Sequence, residues 1–559
     1  MKNKYFDLME ISLSAYTDAH ILRYFNDVKE NGLSEHGFPR LTANIGILIA
    51  HGRRKDLLPI FREMMEFCCK TIPNVKAAND FSVREIICCL WEVEESGIVS
   101  KEDTARWRGY LATIEPTVCY NIFAIAPTDD VRNWALFTGV SEYFRQRAGL
   151  GGSTDFIELQ IASQLKFLDE NGMYMDNKDT DVHQPIMYDL VPRGLFALLL
   201  HSGYRGRYYE EIDACLKKAG LLTLRMQSSN GEIAFGGRSN QFLHNEGWLV
   251  GILEYEASRY AKEGNTALAS AFKSAIARAM SVTEAWLSKK PIRHIKNRFP
   301  TETKYGCEGY AYFDKYMITA ASNLYAAYLI CDESVPTLIA SDHTPSVFQT
   351  SRHFHKLFLK SGGYSLEFDT NADTHHDANG LGRVHRDGAP SPICLSVPCP
   401  SHPSYTVDID EPIAFSMCSA IRVKDGWSLG AEEGASYEVS ESGADDVYAH
   451  ATLICRFENG RCIKERYTVS ENGVSTVVEG DGEIAFSLPA LCFDGENAPE
   501  IVADKSSLTV TYAGWSCRYT TDGTVLDLDK IAANRNGHYR VFLATAQNIL
   551  NVKIEIVKA

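Results

Sequence analysis

HQPIMYDLVPRGLFALLLH, residues 183–201, decides how the first half of the chain folds. Leu195, Phe196, Leu198 and Leu199 recur at the three- and four-residue spacing of a helix face, and the flanking positions are apolar as well. A helix that is apolar on all sides belongs inside. Equally apolar helices begin near Leu41, Asp80, Val131, Asn240 and Gly309, and this one near Gln184. Half-polar helices alternate with them, over 5–30, 55–71, 101–113, 153–168, 206–228 and 265–288. One such hairpin cannot bury its own apolar face. Six of them close most simply into an (α/α)6 toroid with the apolar helices as the inner ring; an open helical solenoid is the alternative.

The pattern changes after the stretch DESVPTLIASDHTP, Asp332–Pro345. Short β-branched runs such as TLICRF, EIAFSL, SLTVTY and IEIV follow, separated by ENGR, ENGV, GDGE and TDGT turns. The fold class is multidomain, α then β. An (α/α)6 toroid over 1–333 carries catalysis, a linker spans 334–345, and an antiparallel β-sandwich fills 346–559.

Composition narrows function. The 559 residues are 45% hydrophobic and 23% charged, which suits a globular protein with an ample core. A net charge of −16 argues against nucleic acid and anionic membrane as partners. No apolar run approaches the ~18 residues of a membrane span. Asp7 and Glu10 interrupt the apolar stretch that a signal peptide needs. The 15 cysteines, with Cys68-Cys69 and Cys88-Cys89 adjacent and no Cys-x-x-Cys spacing, read as reduced thiols of a cytoplasmic protein. A homo-oligomer is compatible with this surface. Nucleotide, metalloprotease and nucleophile-elbow motifs are missing from the sequence, so no cofactor and no metal are expected.

In a toroid the loops leading into the inner helices meet at one end, and polar residues cluster in those loops. DDVRNWALF carries Asp129, Asp130, Asn133 and Trp134. The approach to Gln184 carries Asp176, Asp179, Asp181 and His183, followed by Tyr188, Asp189 and Arg193. GGRSNQFLHNEGW carries Arg238, His244, Asn245, Glu246 and Trp248, and KYGCEGYAYFDKY carries Glu308, Tyr310, Tyr312, Lys315 and Tyr316. Each has a bland reading. Asp129, Asp130 and Asp181 suit helix N-caps. Trp134, Trp248 and the tyrosines suit core packing. Asp189, Arg193 and Glu246 lie in apolar helices, where an unpaired charge costs several kcal/mol, so they either form ion pairs or face a wet cavity. GGSTDFIE, from Gly151, reads as the cap of an outer helix.

The β half adds FDTNADTHHDANGLGRVHRDGAP, with His375, His376, Asp377, Arg383, His385 and Arg386 in one turn-rich stretch. The loop 371–390 reads as a basic flap over the toroid mouth or as a structural connection. A metal reading of His375, His376 and Asp377 lacks a recognised ligand spacing. His353-Phe354-His355 reads as a strand with both imidazoles on one face.

Aromatic faces, carboxylates and arginines together suit a carbohydrate. The stretches RNWALF, LDENGMYMDN, HQPIMYDLVPR, SSNGEIAFGGRSNQF and GYAYFDKYMITAAS resemble, in order, bacterial toroid-plus-sandwich proteins. The likeness spans about residues 40–400. It is closest to the β-glucuronidases of glycoside hydrolase family 154 and more distant from heparinase II/III-type lyases. Arg132 stands where a related group has a second asparagine. The resemblance implies hydrolysis of a β-linked uronic acid at a non-reducing end. Glu246 and Glu308 are then the acid/base candidates, with Asp181 and Asp189 as alternates. Asn133, Arg193, Arg238 and Arg383 would grip the uronate carboxylate. The alternative is β-elimination, with Asn133 neutralising the carboxylate, His183 or His244 as base and Tyr310 as acid. Trp134, Gln184, Tyr188, Asn245, Trp248, Tyr316 and His376 complete the expected sugar-binding surface. A non-catalytic glycan-binding protein is the third reading.

Overall fold

The computed structural model describes residues 1–121, 133–177, 183–337 and 343–559. The helices are α1 (Lys2–Leu13), α2 (Asp18–Asn31), α3 (Gly37–Ala50), α4 (Leu58–Thr71), α5 (Val83–Ser96), α6 (Lys101–Leu111) and the single turn α7 (Pro116–Cys119). After them come α8 (Asn133–Arg147), α9 (Thr154–Leu165), α10 (Ile186–His201), α11 (Tyr209–Met226), α12 (His244–Lys262), α13 (Thr266–Leu287) and α14 (Phe313–Ile330).

Six of these close a ring. α3 packs on α5, α5 on α8, α8 on α10, α10 on α12, α12 on α14, and α14 returns to α3. Closure selects the toroid over the open solenoid. The ring helices are the apolar ones: α10 buries every residue from Asp189 to Leu200. The amphipathic helices lie outside, α4 on α3, α9 on α8, α11 on α10 and α12, and α13 on α12. The sequence 5–30 is two helices rather than one. Thr17 breaks it, because its side chain accepts from the His20 N–H at 3.2 Å and caps α2. Ser153 caps α9 in the same way. Gly194 lets α10 and α12 approach closely: a Cβ there would lie 2.2 Å from the Trp248 ring.

All strand pairs are antiparallel. β1 (Ser346–Gln349), β2 (Lys356–Ser361), β3 (Tyr364–Asp369) and β4 (Gly380–Arg386) form a four-stranded sheet in that order. The larger sheet holds β5 (Ser419–Val423), β6 (Gly426–Leu429), β7 (Ser436–Ala444), β8 (Ala449–Arg456), β9 (Cys462–Ser470) and β10 (Gly473–Phe493). It continues with β11 (Glu500–Ala503), β12 (Ser507–Tyr512), β13 (Trp515–Thr521), β14 (Thr524–Asn534) and β15 (Gly537–Lys558). Leu357, Leu359, Leu366 and Phe368 of the small sheet join one buried cluster with Leu453, Tyr467, Phe486 and Val552 of the large one, which makes a sandwich. His353-Phe354-His355 is a turn and not a strand: the Phe354 and His355 amides both donate to the Ser351 carbonyl, at 3.1 and 3.2 Å. The thiols of Cys68, Cys69, Cys88 and Cys89 are buried in α4 and α5, and burial pushes Cys68 and Cys88 up to about 12. Among the described residues no helix is long and apolar enough to cross a membrane.

Candidate functional site

Each of the six ring helices contributes, through its first turns or the loop before it, to one cavity of ≈ 320 Å³. His36 and Arg40 come from the start of α3, and Phe81 from the loop before α5. Asn133, Trp134 and Phe137 lie on α8, Tyr188 on α10, and His244 and Trp248 on α12. Tyr310, Lys315, Tyr316 and Thr319 come from α14 and its approach, and Arg238 and Ser239 from the loop before α12.

That last loop is strained. Gly236 (φ 143°), Gly237 (74°), Ser239 (58°) and Gln241 (68°) place four positive φ angles in six residues. A non-glycine residue in this region costs about 1–3 kcal/mol and persists only where its surroundings dictate it. Here they do. The Gly237 N–H donates to Asp377 at 2.6 Å, and the Phe235 N–H to Glu367 at 3.1 Å. Arg383 Nη1 donates to the Ile233 carbonyl at 2.6 Å. The Ser239 N–H donates to Glu308 Oε1 at 2.6 Å, and Asn245 Nδ2 donates to the Ser239 carbonyl at 3.0 Å. Glu308 is itself held by Arg535, from the turn between β14 and β15, at 2.6 and 3.1 Å. The sandwich thus grips the turn from outside while the turn faces the cavity.

The result is a cluster of phenols around one hydroxyl. Ser239 Oγ lies 2.8 Å from the Tyr310 hydroxyl and 3.2 Å from that of Tyr188. Burial, then the neighbouring phenol and Glu308, raises Tyr310 well above the usual phenol range, so it stays protonated. The Arg238 guanidinium stacks on the Tyr188 ring at 4.4 Å and pairs with Asp176, which also accepts from Asn133 Nδ2 at 2.8 Å. Across the cavity, the Tyr316 ring lies 6.2 Å from Tyr310 and 5.0 Å from His244. Burial and the charge of Arg40 lower His244 to about 3, so its imidazole is neutral. The Nδ1 atoms of His36 and His244 and Nε of Arg238 are buried without a hydrogen-bond partner among the described residues.

Of the residues singled out in the sequence, Asn133, Trp134, Tyr188, Arg238, His244, Trp248, Tyr310 and Tyr316 line the cavity. The others stand elsewhere. Glu246 is fully buried and accepts from Lys296, which also pairs with Glu232, both at 2.8 Å. Asp189 and Arg193 pair with each other inside α10, and Asp189 also accepts from the Tyr174 N–H. Glu308 and Asn245 shape the Ser239 turn, and Arg383 pairs with Glu367 at 3.0 Å. Gln184 holds the Asn177 N–H at 2.9 Å, His183 lies against His355, and His376 pairs with Asp373 at 2.8 Å. Asp129, Asp130, Asp179 and Asp181 lie outside the described residues. Sequence reading missed His36, Arg40, Ser239 and Thr319. The same signal was there: His36 and Arg40 lead into the first apolar helix in EHGFPRLTAN.

No family model matches this sequence, and no curated protein matches it. Solved structures do show a likeness. Heparinase III aligns at a TM-score of 0.39 and 10% identity, over 85% of this chain and 77% of that one. A chondroitin lyase described as a baculovirus envelope protein aligns at 0.44 and 10%, over 93% and 76%. A heparan sulfate lyase from Pedobacter heparinus aligns at 0.36 and 6%, over 89% and 75%. Likenesses this distant assign no reaction. The fold rests on the closed ring and the sandwich core, and the chemistry on the cavity.

Proposed function

We propose that this protein is a lyase that cleaves a uronate-containing carbohydrate by β-elimination in the toroid cavity. The observation that carries the reading is the Tyr310–Ser239–Tyr188 hydroxyl cluster, facing Arg238 and the neutral His244 within one cavity. β-Elimination needs three things. The carboxylate of the sugar must be neutralised so that the C5 proton becomes acidic, a base must take that proton, and an acid must protonate the departing oxygen. Asn133 and Arg238, both bonded to Asp176, would turn from it to meet the carboxylate. His244, already unprotonated, takes the proton, and a carboxylate bound beside it strengthens it as a base. Tyr310, held protonated, delivers its proton to the leaving oxygen. Trp134 and Trp248 supply apolar faces for the ring.

Glycoside hydrolysis calls for two carboxylates astride the scissile bond. Glu246 and Glu308 are instead committed to Lys296 and Arg535. Among the described residues the geometry therefore favours elimination over the hydrolysis that the resemblance implied. The test is to incubate the protein with polymeric uronans and record the ultraviolet absorbance of a 4,5-unsaturated uronate, with an aryl β-glucuronide in parallel. Unsaturated product supports the reading. Aglycone release without unsaturated product would restore hydrolysis.

A further inference from the structure

The cavity floor carries a charge that its neighbours leave unbalanced. Arg40 and Arg84 share one carboxylate, Glu85, whose Oε1 lies 3.1 Å from Arg40 Nε and 2.9 Å from Arg84 Nη2. All three are buried. The other oxygen of Glu85 accepts from Ser322 at 2.6 Å, and Ser322 in turn accepts from Asn44, so this chain runs from the cavity deeper into the ring. Two guanidinium groups and one carboxylate leave one positive charge within this cluster. Arg238 differs, because Asp176 neutralises it. An uncompensated charge in a dry interior costs several kcal/mol, so a fold that keeps one has use for a counter-ion.

The guanidinium of Arg40 is oriented and only partly used. Nη1 donates to Thr319 Oγ1 at 2.7 Å, and Thr319 is fixed by donating to the Lys315 carbonyl at 2.7 Å. Nη2 makes one long contact, 3.4 Å to the Phe81 carbonyl. His36 stands beside it with Nδ1 unpartnered among the described residues, and the Lys315 side chain, paired with Glu35 at 3.3 Å, closes the same wall. Donors with spare capacity and a net positive charge form a receptor for an oxyanion.

We propose that this floor is an anion subsite, built on Arg40 with His36 beside it, for a carboxylate or sulfate group carried by the bound sugar. That the ligand is a sugar rests on the function proposed above; the anion site rests on the charge count.

Calorimetric titration of the full chain with glucose, glucuronate, glucose 6-sulfate and inorganic sulfate tests it. At least one charged sugar should bind tenfold or more tightly than glucose, and the tighter of the two tells carboxylate from sulfate. Arg40→Gln leaves Arg84 and Glu85 as a balanced pair and should reduce that preference to within twofold. Glu85→Gln raises the floor to two charges and should tighten the charged sugar severalfold. Equal binding of charged and neutral sugars by the unmodified protein overturns the proposal. So does no binding of any anion, or an Arg40→Gln protein that keeps the preference. Anion preference without unsaturated product would sink the lyase reading and leave this subsite standing. Unsaturated product without anion preference would do the reverse.

Discussion

Replacing Glu246 with Gln and Lys296 with Met should have opposite consequences, and the contrast separates a structural carboxylate from a catalytic one. Lys296 Nζ sits 2.8 Å from both Glu232 and Glu246, and all three are buried. The cluster holds one carboxylate too many. Lys296, with Arg383 and His385 nearby, keeps Glu232 well below the usual carboxylate range, whereas burial raises Glu246, whose Oε2 lacks a partner among the described residues. Glu246→Gln keeps an acceptor for Lys296 and removes the surplus charge, so its effect on stability at pH 7 should be about 1 kcal/mol or less, in either direction. The sign has a pH signature. A carboxyl raised on folding penalises the native state above its unfolded value and not below it. The variant should therefore gain on the wild type as pH rises from acid to neutral. Lys296→Met strands two buried carboxylates and should cost about 3–5 kcal/mol, about 3–4 °C in melting temperature for a chain of this length. Melting curves by tryptophan fluorescence, with turnover measured on the same samples, check both. Glu246→Gln should stay within about threefold of wild-type activity, against the ~10²-fold loss expected of a general acid. A hundredfold loss in a normally folded Glu246→Gln protein would refute the structural role and return Glu246 to the chemistry.

Tyr310→Phe removes the hydroxyl proposed as acid but leaves Ser239 Oγ its contact with Tyr188, so turnover should fall ~10²-fold or more while melting shifts by the equivalent of about 1 kcal/mol. Arg535→Met leaves Glu308 buried without its bidentate partner and loosens the Ser239 turn; stability should drop by about 3–5 kcal/mol and kcat should fall with it, both readable from one melting and turnover series. Burial lifts Glu256 to about 7, against the attraction of Arg259. Its ionised form penalises the fold, so Glu256→Gln should exceed the wild type by about 3 kcal/mol at pH 8 and match it near pH 4.5. An advantage that does not change with pH would contradict that assignment.

Short-range patterns carried the architecture into the sequence. The ring helices announce themselves because each is apolar on every side, and the loops leading into them announce the cavity because the toroid brings those loops together. Asn133, Tyr188, Arg238, His244 and Tyr310 were legible for that reason. The division of 5–30 was missed, because the apolar spacing runs on across the Thr17-Asp18 cap that marks it. What each charged side chain does was not legible, because it depends on a partner far along the chain. Lys296 lies 50 residues from Glu246, and Arg535 lies 227 residues from Glu308. A carboxylate in an apolar helix looks the same whether it meets a substrate or a lysine.

Counting charges in three dimensions removes that ambiguity. Asp189 balances Arg193, and Glu308 balances Arg535. Arg259 faces both Asp213 and Glu256, one negative charge in excess, and two further clusters do not balance either. Glu232 and Glu246 exceed Lys296 by one negative charge, and Arg40 and Arg84 exceed Glu85 by one positive charge. The first of these two lies away from the cavity, and burial raises Glu246 toward its protonated form, which would relieve it. The second opens into the cavity through Arg40, and a guanidinium cannot shed its proton to escape the penalty. An incoming anion would balance it, so the residue that sequence reading passed over is the one on which the proposed subsite turns.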